Sequence, residues 1–216
     1  MGYMICSQVL ITILFLNDVC CNGQIVVLFF CCVFFRFHGI GWVNVRNDSP
    51  IECKDERDLD GLSNTWEHYL KTNQPVKYEV IKQMAQNHNV KSGKWLFFAE
   101  SGGKIDQLWS VVAKAIIESN DLPCNAAKVS SYDGSSSHVV CIYNNDFTNS
   151  DQVMRAEQAI RNMGIKARLL YKPDVYTLLG VYSGNPWGLT PNILVSNFDL
   201  MKGSSVIENS YGISQI

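Results

Sequence analysis

The chain has 216 residues, of which 47% are hydrophobic and 18% are charged, with a net charge of −2 and a pI near 6.1. This length fits one domain with a substantial core. The near-neutral charge excludes proteins that bind nucleic acid or anionic lipid through bulk positive charge, so any contact with a polyanion has to be local.

Residues 1–43 differ from the rest of the chain because they are nearly free of charge and rich in cysteine. They hold five of the eight cysteines, and their charged residues are Asp18 and Arg36. A membrane span needs about 20 mostly apolar residues, whereas the apolar run at 25–35 covers eleven. Three interpretations stay open: an extension foreign to the domain, such as a gene-prediction artefact; a signal-like or membrane-associating segment; and a structural part of the core.

The cysteines of the remaining chain are scattered, at Cys53, Cys124 and Cys141. Such spacing does not indicate a disulfide framework. We therefore expect a reduced, cytoplasmic protein, and contact with a membrane only if residues 1–43 are genuine and retained.

Residues 44–62 are polar and lean towards acidic, which predicts a linker. Ser63 then suits the start of a short helix that continues to Lys71. Pro75 suits the first position of a second helix, which ends near Asn89.

The next part of the chain alternates compact apolar runs with amphipathic stretches. The predicted elements are strand 94–99, helix 105–119, strands 126–132 and 138–143, a helix from a Thr148 cap to Gly164, and strand 166–171. The Gly/Ser-rich turn between the two middle strands predicts a hairpin. The order β-α-β-β-α-β predicts an α+β fold with helices on one face of the sheet.

The domain is predicted to cover residues 63–201. A further strand is possible at 193–196, and the polar residues 202–216 are predicted to form a flexible tail.

No local pattern of catalytic residues stands out. The SGGK at 101–104 lacks the spacing of a phosphate-binding P-loop. On a strand, His138 and Cys141 point to opposite faces, so they cannot pair directly as base and nucleophile. We expect a protein that is not an enzyme and that needs no cofactor or metal ion.

The stretch 171–188, YKPDVYTLLGVYSGNPWG, is unusually rich in rings and carries Lys172 and Asp174 as its charged residues. Rings could stack on bases while lysine or arginine holds phosphate. Alternatively, the rings could bury themselves and close the end of the sheet. The candidate ligand-binding residues are Trp95, Lys128, Arg168, Lys172, Tyr176, Tyr182 and Trp187.

Five blocks in this order resemble the basophilic-leukaemia-expressed (Bles) protein family. They are SGKWLFF (92–98), IDQLW (105–109), AAKVS (126–130), CIYNNDFT (141–148) and the stretch 171–188. The resemblance covers about residues 60–197. It implies a fold like that of the translation initiation factor 4E, a curved and mostly antiparallel sheet backed by helices, and it implies an association with RNA.

Two functions from different classes follow. The first is a binding protein that takes RNA or a nucleotide-like ligand through a local aromatic and basic surface. The alternative is a scaffold that binds other proteins and has no nucleic-acid ligand.

Overall fold

The computed structural model gives the secondary structure of most of the chain after residue 41. The residues it describes are 5–6, 9–10, 25–26, 42–47, 57–118, 122–131, 134 and 136–211. The interpretations offered for residues 1–43 therefore fall largely outside the described residues.

The described part contains five helices and ten strands. The helices are α1 (Leu59–Lys71), α2 (Tyr78–Asn87), α3 (Gly103–Glu118), α4 (Ser150–Asn162) and α5 (Asp174–Leu178). The strands are β1 (Ile5–Cys6), β2 (Val9–Leu10), β3 (Ile25–Val26), β4 (Trp42–Arg46), β5 (Gly93–Glu100), β6 (Ala126–Ser130), β7 (Ser137–Asn144), β8 (Leu169–Pro173), β9 (Leu194–Asp199) and β10 (Ser204–Asn209). None of the described helices is long and apolar enough to cross a membrane.

Eight of these strands form one sheet in the order β10-β9-β8-β5-β7-β6-β4-β3, while β1 and β2 pair separately. All neighbours in the large sheet are antiparallel except β3 and β4. The segment β5-α3-β6-β7-α4-β8 confirms the predicted β-α-β-β-α-β order, and β6 and β7 form the predicted antiparallel hairpin. The α+β prediction is confirmed.

The core lies between the helices and one face of the sheet. On α3, the apolar stripe buries Ile105, Val112 and Ile116, because residues three and four apart share one side of a helix. They pack in one cluster with alternate residues of the central strand β5, such as Trp95 and Phe97.

The predicted linker is wrong at both of its ends. Residues 42–46 form β4, which pairs with β6, and α1 begins at Leu59 with Asp58 as its N-cap rather than at Ser63. In β4, Val43 and Val45 face the core while the residues between them do not. A half-buried strand alternates apolar and polar residues. That alternation is hard to recognise here, because residues 44–46 are also the first residues of the polar stretch 44–62.

The predicted flexible tail is also wrong in its first half. Ser204–Asn209 pairs with β9 along its whole length, and Lys202 lies in the connecting turn. An edge strand keeps one face and one side in water, so a polar sequence is compatible with it. Residues 212–216 lie outside the described part.

The caps of α4 differ slightly from the prediction. Asn149, not Thr148, caps the helix, since its Oδ1 accepts a hydrogen bond from the Gln152 backbone N–H at 3.0 Å. Gly164 follows the last turn with φ +84°, a left-handed conformation that glycine adopts without steric cost.

Candidate ligand-binding site on the open face of the sheet

The face of the sheet opposite the core is called here the open face. Side chains alternate across a strand, so the residues of β5 that do not join the core, such as Lys94 and Phe98, lie on this face. Phe98 is 58% exposed there, whereas Trp95 and Phe97 on the other face are 0% exposed.

The strand register brings three lysines together on the open face. Lys94 of β5 is the register partner of Lys172 of β8 on one side and of Tyr143 of β7 on the other. Lys128 of β6 faces Cys141 of β7 in the next row of the sheet. We call Lys94, Lys128 and Lys172 the lysine cluster.

Lys94 has a carboxylate partner. Its Nζ donates hydrogen bonds to Asp174 Oδ1 at 2.5 Å and to Thr177 Oγ1 at 3.0 Å. Both acceptors belong to α5, the short helix that follows β8 directly. The ammonium is therefore neutralised and held in one position.

Lys172 is buried and has no such partner among the described residues. It is 6% exposed, and its Nζ donates one hydrogen bond, to the Val181 carbonyl at 2.8 Å. The Tyr182 ring covers it, with 3.8 Å between Nζ and the ring centroid. Burial lowers the pKa of Lys172 from 10.5 to about 8, and the neighbouring charge of Lys94 also lowers it.

Lys128 lies among aromatic rings. Its Nζ is 4.1 Å from the centroid of the Trp42 ring and 5.7 Å from that of Tyr143, a cation–π arrangement. Burial lowers the pKa of Lys128, and Lys94 lowers it further, whereas Cys141 and Asp174 oppose the shift.

The open face thus carries more hydrogen-bond donors and positive charge than it can satisfy internally. Within the described residues, neither Lys128 nor Lys172 has a carboxylate within 4.0 Å. The Nδ2 of Asn44, whose register partner is Lys128, is buried and has no acceptor among the residues that the structure describes. Buried donors without acceptors are costly, so a bound anion would stabilise this surface.

Three of the sequence-predicted site residues meet on this face: Lys128, Lys172 and Tyr182. Arg168 is exposed and lies just before β8, outside its paired residues. The prediction for this residue stays a prediction.

Two predicted ligand contacts, Trp95 and Tyr176, need correction because both are core residues with no exposed surface. Trp95 donates its indole N–H to the Val153 carbonyl at 3.0 Å and packs edge-on against Tyr171. The Tyr176 hydroxyl bonds to that of Tyr211 at 3.0 Å. Both rings bury more apolar surface in the core than they could on a surface, while their polar atoms keep partners.

Trp187 packs away from the lysine cluster. It is half-buried, and its ring meets that of Trp66 on α1 edge-on, with 4.9 Å between centroids. In the stretch 171–188, Tyr171, Tyr176 and Trp187 therefore pack in or against the core, whereas Lys172 and Tyr182 belong to the open face.

Sequence reasoning missed Trp42, Lys94 and Tyr143 as members of this surface. In the sequence, Trp42 stands at the end of the charge-poor N-terminal segment, and Lys94 and Tyr143 belong to predicted strands without a feature that marks them as site residues. The alternation of apolar and polar residues in WVNVR could have placed Trp42 on a strand. Nothing local indicates that Lys94 and Tyr143 are neighbours, because only the register pairs them.

The predicted separation of His138 and Cys141 is confirmed. His138 is buried on the core side and bonds to the Ser130 carbonyl, while Cys141 lies on the open face, so the two do not meet. The described residues contain no group of three or more His, Cys, Asp or Glu that could hold a metal ion.

Solved structures similar to this chain include complexes of the cap-binding factor eIF4E-3. With the Ascaris suum protein bound to an m2,2,7G cap, identity is 20%, the TM-score is 0.38, and 50% of this chain and 58% of that chain are covered. With the same protein bound to an m7G cap, identity is 21%, the TM-score is 0.37, and 71% of this chain and 93% of that chain are covered. With C. elegans eIF4E-3 bound to the 4E-binding protein Mextli, identity is 22%, the TM-score is 0.34, and 41% of this chain and 56% of that chain are covered. In the first of these matches this chain spans less than two thirds of its neighbour's length.

The family model described as basophilic leukemia-expressed protein Bles03 matches residues 47–180. The matched region is more than half of the chain and contains all three residues of the lysine cluster, whereas Trp42 and Tyr182 lie outside it. The chain belongs to the Bles03 family.

Proposed function

We propose that this protein is a cytosolic, non-enzymatic binding protein whose open face takes RNA or a nucleotide-like ligand. The observation that carries the proposal is the pair of lysines, Lys128 and Lys172, that lie against aromatic rings and have no carboxylate partner in the described part of the chain. A phosphate group would supply the missing anion.

The charge argument favours a phosphate-bearing ligand over a neutral one. A buried cation without a counter-ion raises the free energy of the folded state. A phosphate beside Lys128 would form charge-assisted hydrogen bonds with its ammonium group, and its oxygens match the donor of the neighbouring Asn44, for which the described residues supply no acceptor.

Two exposed rings favour a ligand that also carries bases. Tyr182 is 53% exposed although its other face covers Lys172, and Phe98 lies on the same face of the sheet. A base that stacks on such a ring gains roughly 1–3 kcal/mol. Phosphate contacts and stacking together describe local recognition of a single strand rather than of a duplex.

The test is the affinity of the full chain for a fluorescent single-stranded RNA of mixed sequence, at several salt concentrations. We expect Lys128→Gln to weaken binding by about tenfold and to reduce the salt slope by roughly 0.7, the value for one phosphate contact on a single strand. Lys114→Gln is the matched control, because Lys114 lies on α3 with its side chain 55% exposed.

The same RNA should bind the control variant as tightly as the unaltered protein. Equal losses in both variants would mean that general charge, not the open face, holds the RNA. Absence of binding by the unaltered protein would overturn the proposal.

A further inference from the structure

The amine of Lys172 is held at a defined point under a ring. Its Nζ is fixed by the Val181 carbonyl and lies beneath Tyr182, while Lys94 is its register partner on the adjacent strand. A flexible surface lysine samples many positions, whereas this amine has one.

The groups that face this amine do not favour its charged form. Lys94 on β5, its register partner, is positive, and Tyr182 is a neutral ring over it. Lys128 on β6 and Tyr143 on β7 lie farther along the same face of the sheet. Asp174 at the start of α5 is bound to Lys94 instead. A carbonyl acceptor such as that of Val181 takes a hydrogen bond from a neutral amine as well as from an ammonium.

Desolvation next to another cation is the arrangement that converts a lysine into a nucleophile. The pKa of Lys172, lowered by burial to about 8, agrees with that arrangement. At about pH 7.5 roughly a quarter of such amines are neutral, against about 0.1% of ordinary lysines.

The ring over the amine lies on a turn at the surface. Tyr182 is between Gly180 and Gly184, which both have φ +75°, a region that only glycine enters freely. Because the ring is already more than half exposed, its rotation uncovers the amine without opening the core.

We propose that Lys172 is a nucleophilic amine that captures a small anionic aldehyde as a Schiff base on the open face. The lone pair of the neutral amine attacks the carbonyl carbon, so that a C–N bond forms. The carbonyl oxygen leaves as water with both amine protons, and a C=N bond remains. No oxidant or reductant takes part, and the reaction is a reversible, stoichiometric capture rather than a turnover.

The neighbouring charges define which aldehyde fits. Lys128 has no carboxylate partner within the described residues and lies on the same face as Lys172. An aldehyde with a phosphate or carboxylate group would place its carbonyl on Lys172 and its anion towards Lys128. A neutral aldehyde would gain nothing from the second lysine.

The test treats the full chain with pyridoxal 5′-phosphate, fixes the imine with cyanoborohydride, and maps the modified lysines by peptide mass spectrometry. The larger neutral fraction favours Lys172 by about two hundredfold over an exposed lysine, and the lower intrinsic nucleophilicity of a low-pKa group offsets about one decade or slightly more. We therefore expect Lys172 to react about tenfold faster than Lys114 in the same digest, and its rate to rise with a midpoint near pH 8.

Pyridoxal without the phosphate is the control for the anion, and it should react at Lys172 several-fold more slowly. Reaction of Lys172 at the rate of Lys114, or equal rates with both probes, would overturn the inference.

The adduct and the RNA affinity are measured separately, because this inference does not depend on the proposed RNA binding. Arginine stays charged and is not nucleophilic at neutral pH, so Lys172→Arg should lose the adduct. An adduct on Lys172 in a protein that binds no RNA would leave the capture standing and remove the proposed function. A variant that still forms the adduct at the same overall level would refute the capture.

Discussion

Arg161 and Lys172 are both buried cations, but their surroundings differ completely. Arg161 is 8% exposed and donates to the Glu157 carboxylate, to the Ser196 hydroxyl and to three backbone carbonyls. Lys172, which is equally buried, donates to a single carbonyl. The first cation is satisfied within the chain and the second is not.

The comparison separates a cation whose partners are complete from one whose partners are not. The Ser196 hydroxyl also donates to Glu157 at 2.6 Å, so the Arg161 network joins α4, the loop after it and β9 with every charge matched. A buried ion is tolerated when its partners are complete. Within the described residues, Lys128 and Lys172 have no carboxylate partner, in agreement with the proposed site for an anionic ligand.

The largest effect is expected from breaking the satisfied network. Arg161→Ala leaves the Glu157 carboxylate buried and without its ion-pair partner, so the free energy of unfolding should fall by about 3–5 kcal/mol. Urea unfolding measures it. Arg155→Ala on the exposed side of the same helix is the control and should cost about 1 kcal/mol or less. A loss as small as that of the control would show that the network does not stabilise the fold.

An opposite effect is expected at Lys172. Lys172→Met removes a buried cation that has no counter-ion, so the free energy of unfolding at about pH 7 should rise by on the order of 1 kcal/mol. RNA binding should weaken at the same time. A clear loss of stability would show that the ammonium is satisfied and that the contrast with Arg161 is wrong.

The pH dependence gives a second measurement on the same variant. Because the pKa of Lys172 is lowered from 10.5 to about 8 in the folded protein, the unfolded chain binds more protons between these values. Stability of the unaltered protein should therefore rise with pH across this window. In Lys172→Met that contribution should be absent, and the difference between the two unfolding curves should shrink as pH increases.

The smallest effect is expected at an exposed pair. The hydrogen bond from His88, and then that from the Gly61 backbone, lower the pKa of Asp58. A lowered carboxyl pKa contributes stability that is present above the unfolded value and is lost as pH falls. Asp58→Asn should make the fall in stability at acid pH only slightly less steep, because the carboxylate is exposed to water. An acid titration of the melting temperature, with Asp60→Asn as the control, measures it.

Local sequence patterns were sufficient to predict the helices and strands whose buried residues recur at the spacing of that element. The α3 stripe and the apolar run of β5 were predictable because a helix or strand that buries one face must repeat its apolar residues at its own spacing. The same reasoning failed for β4 and β10. β10 is an edge strand and β4 lies beside the two-residue edge strand β3. The polar residues of both strands face away from the core, so their composition resembles that of a tail and a linker.

The candidate site was predictable only in part. Lys128, Lys172 and Tyr182 stood out as cations and a ring near one another in the predicted order. Trp95 and Tyr176 also stood out as rings, but they are buried, because a sequence shows which residues are aromatic and not which face they occupy.

By itself, the sequence determined the α+β order, the family blocks and the supply of rings and lysines in 171–188. Local propensity and apolar spacing carry that information. The tertiary structure alone decided that Lys94 lies beside Lys172, that Trp42 covers Lys128, and that Asp174 neutralises one lysine and not the others. These are register and distance relations between strands far apart in the chain, and the free energy of a buried charge depends on those distances.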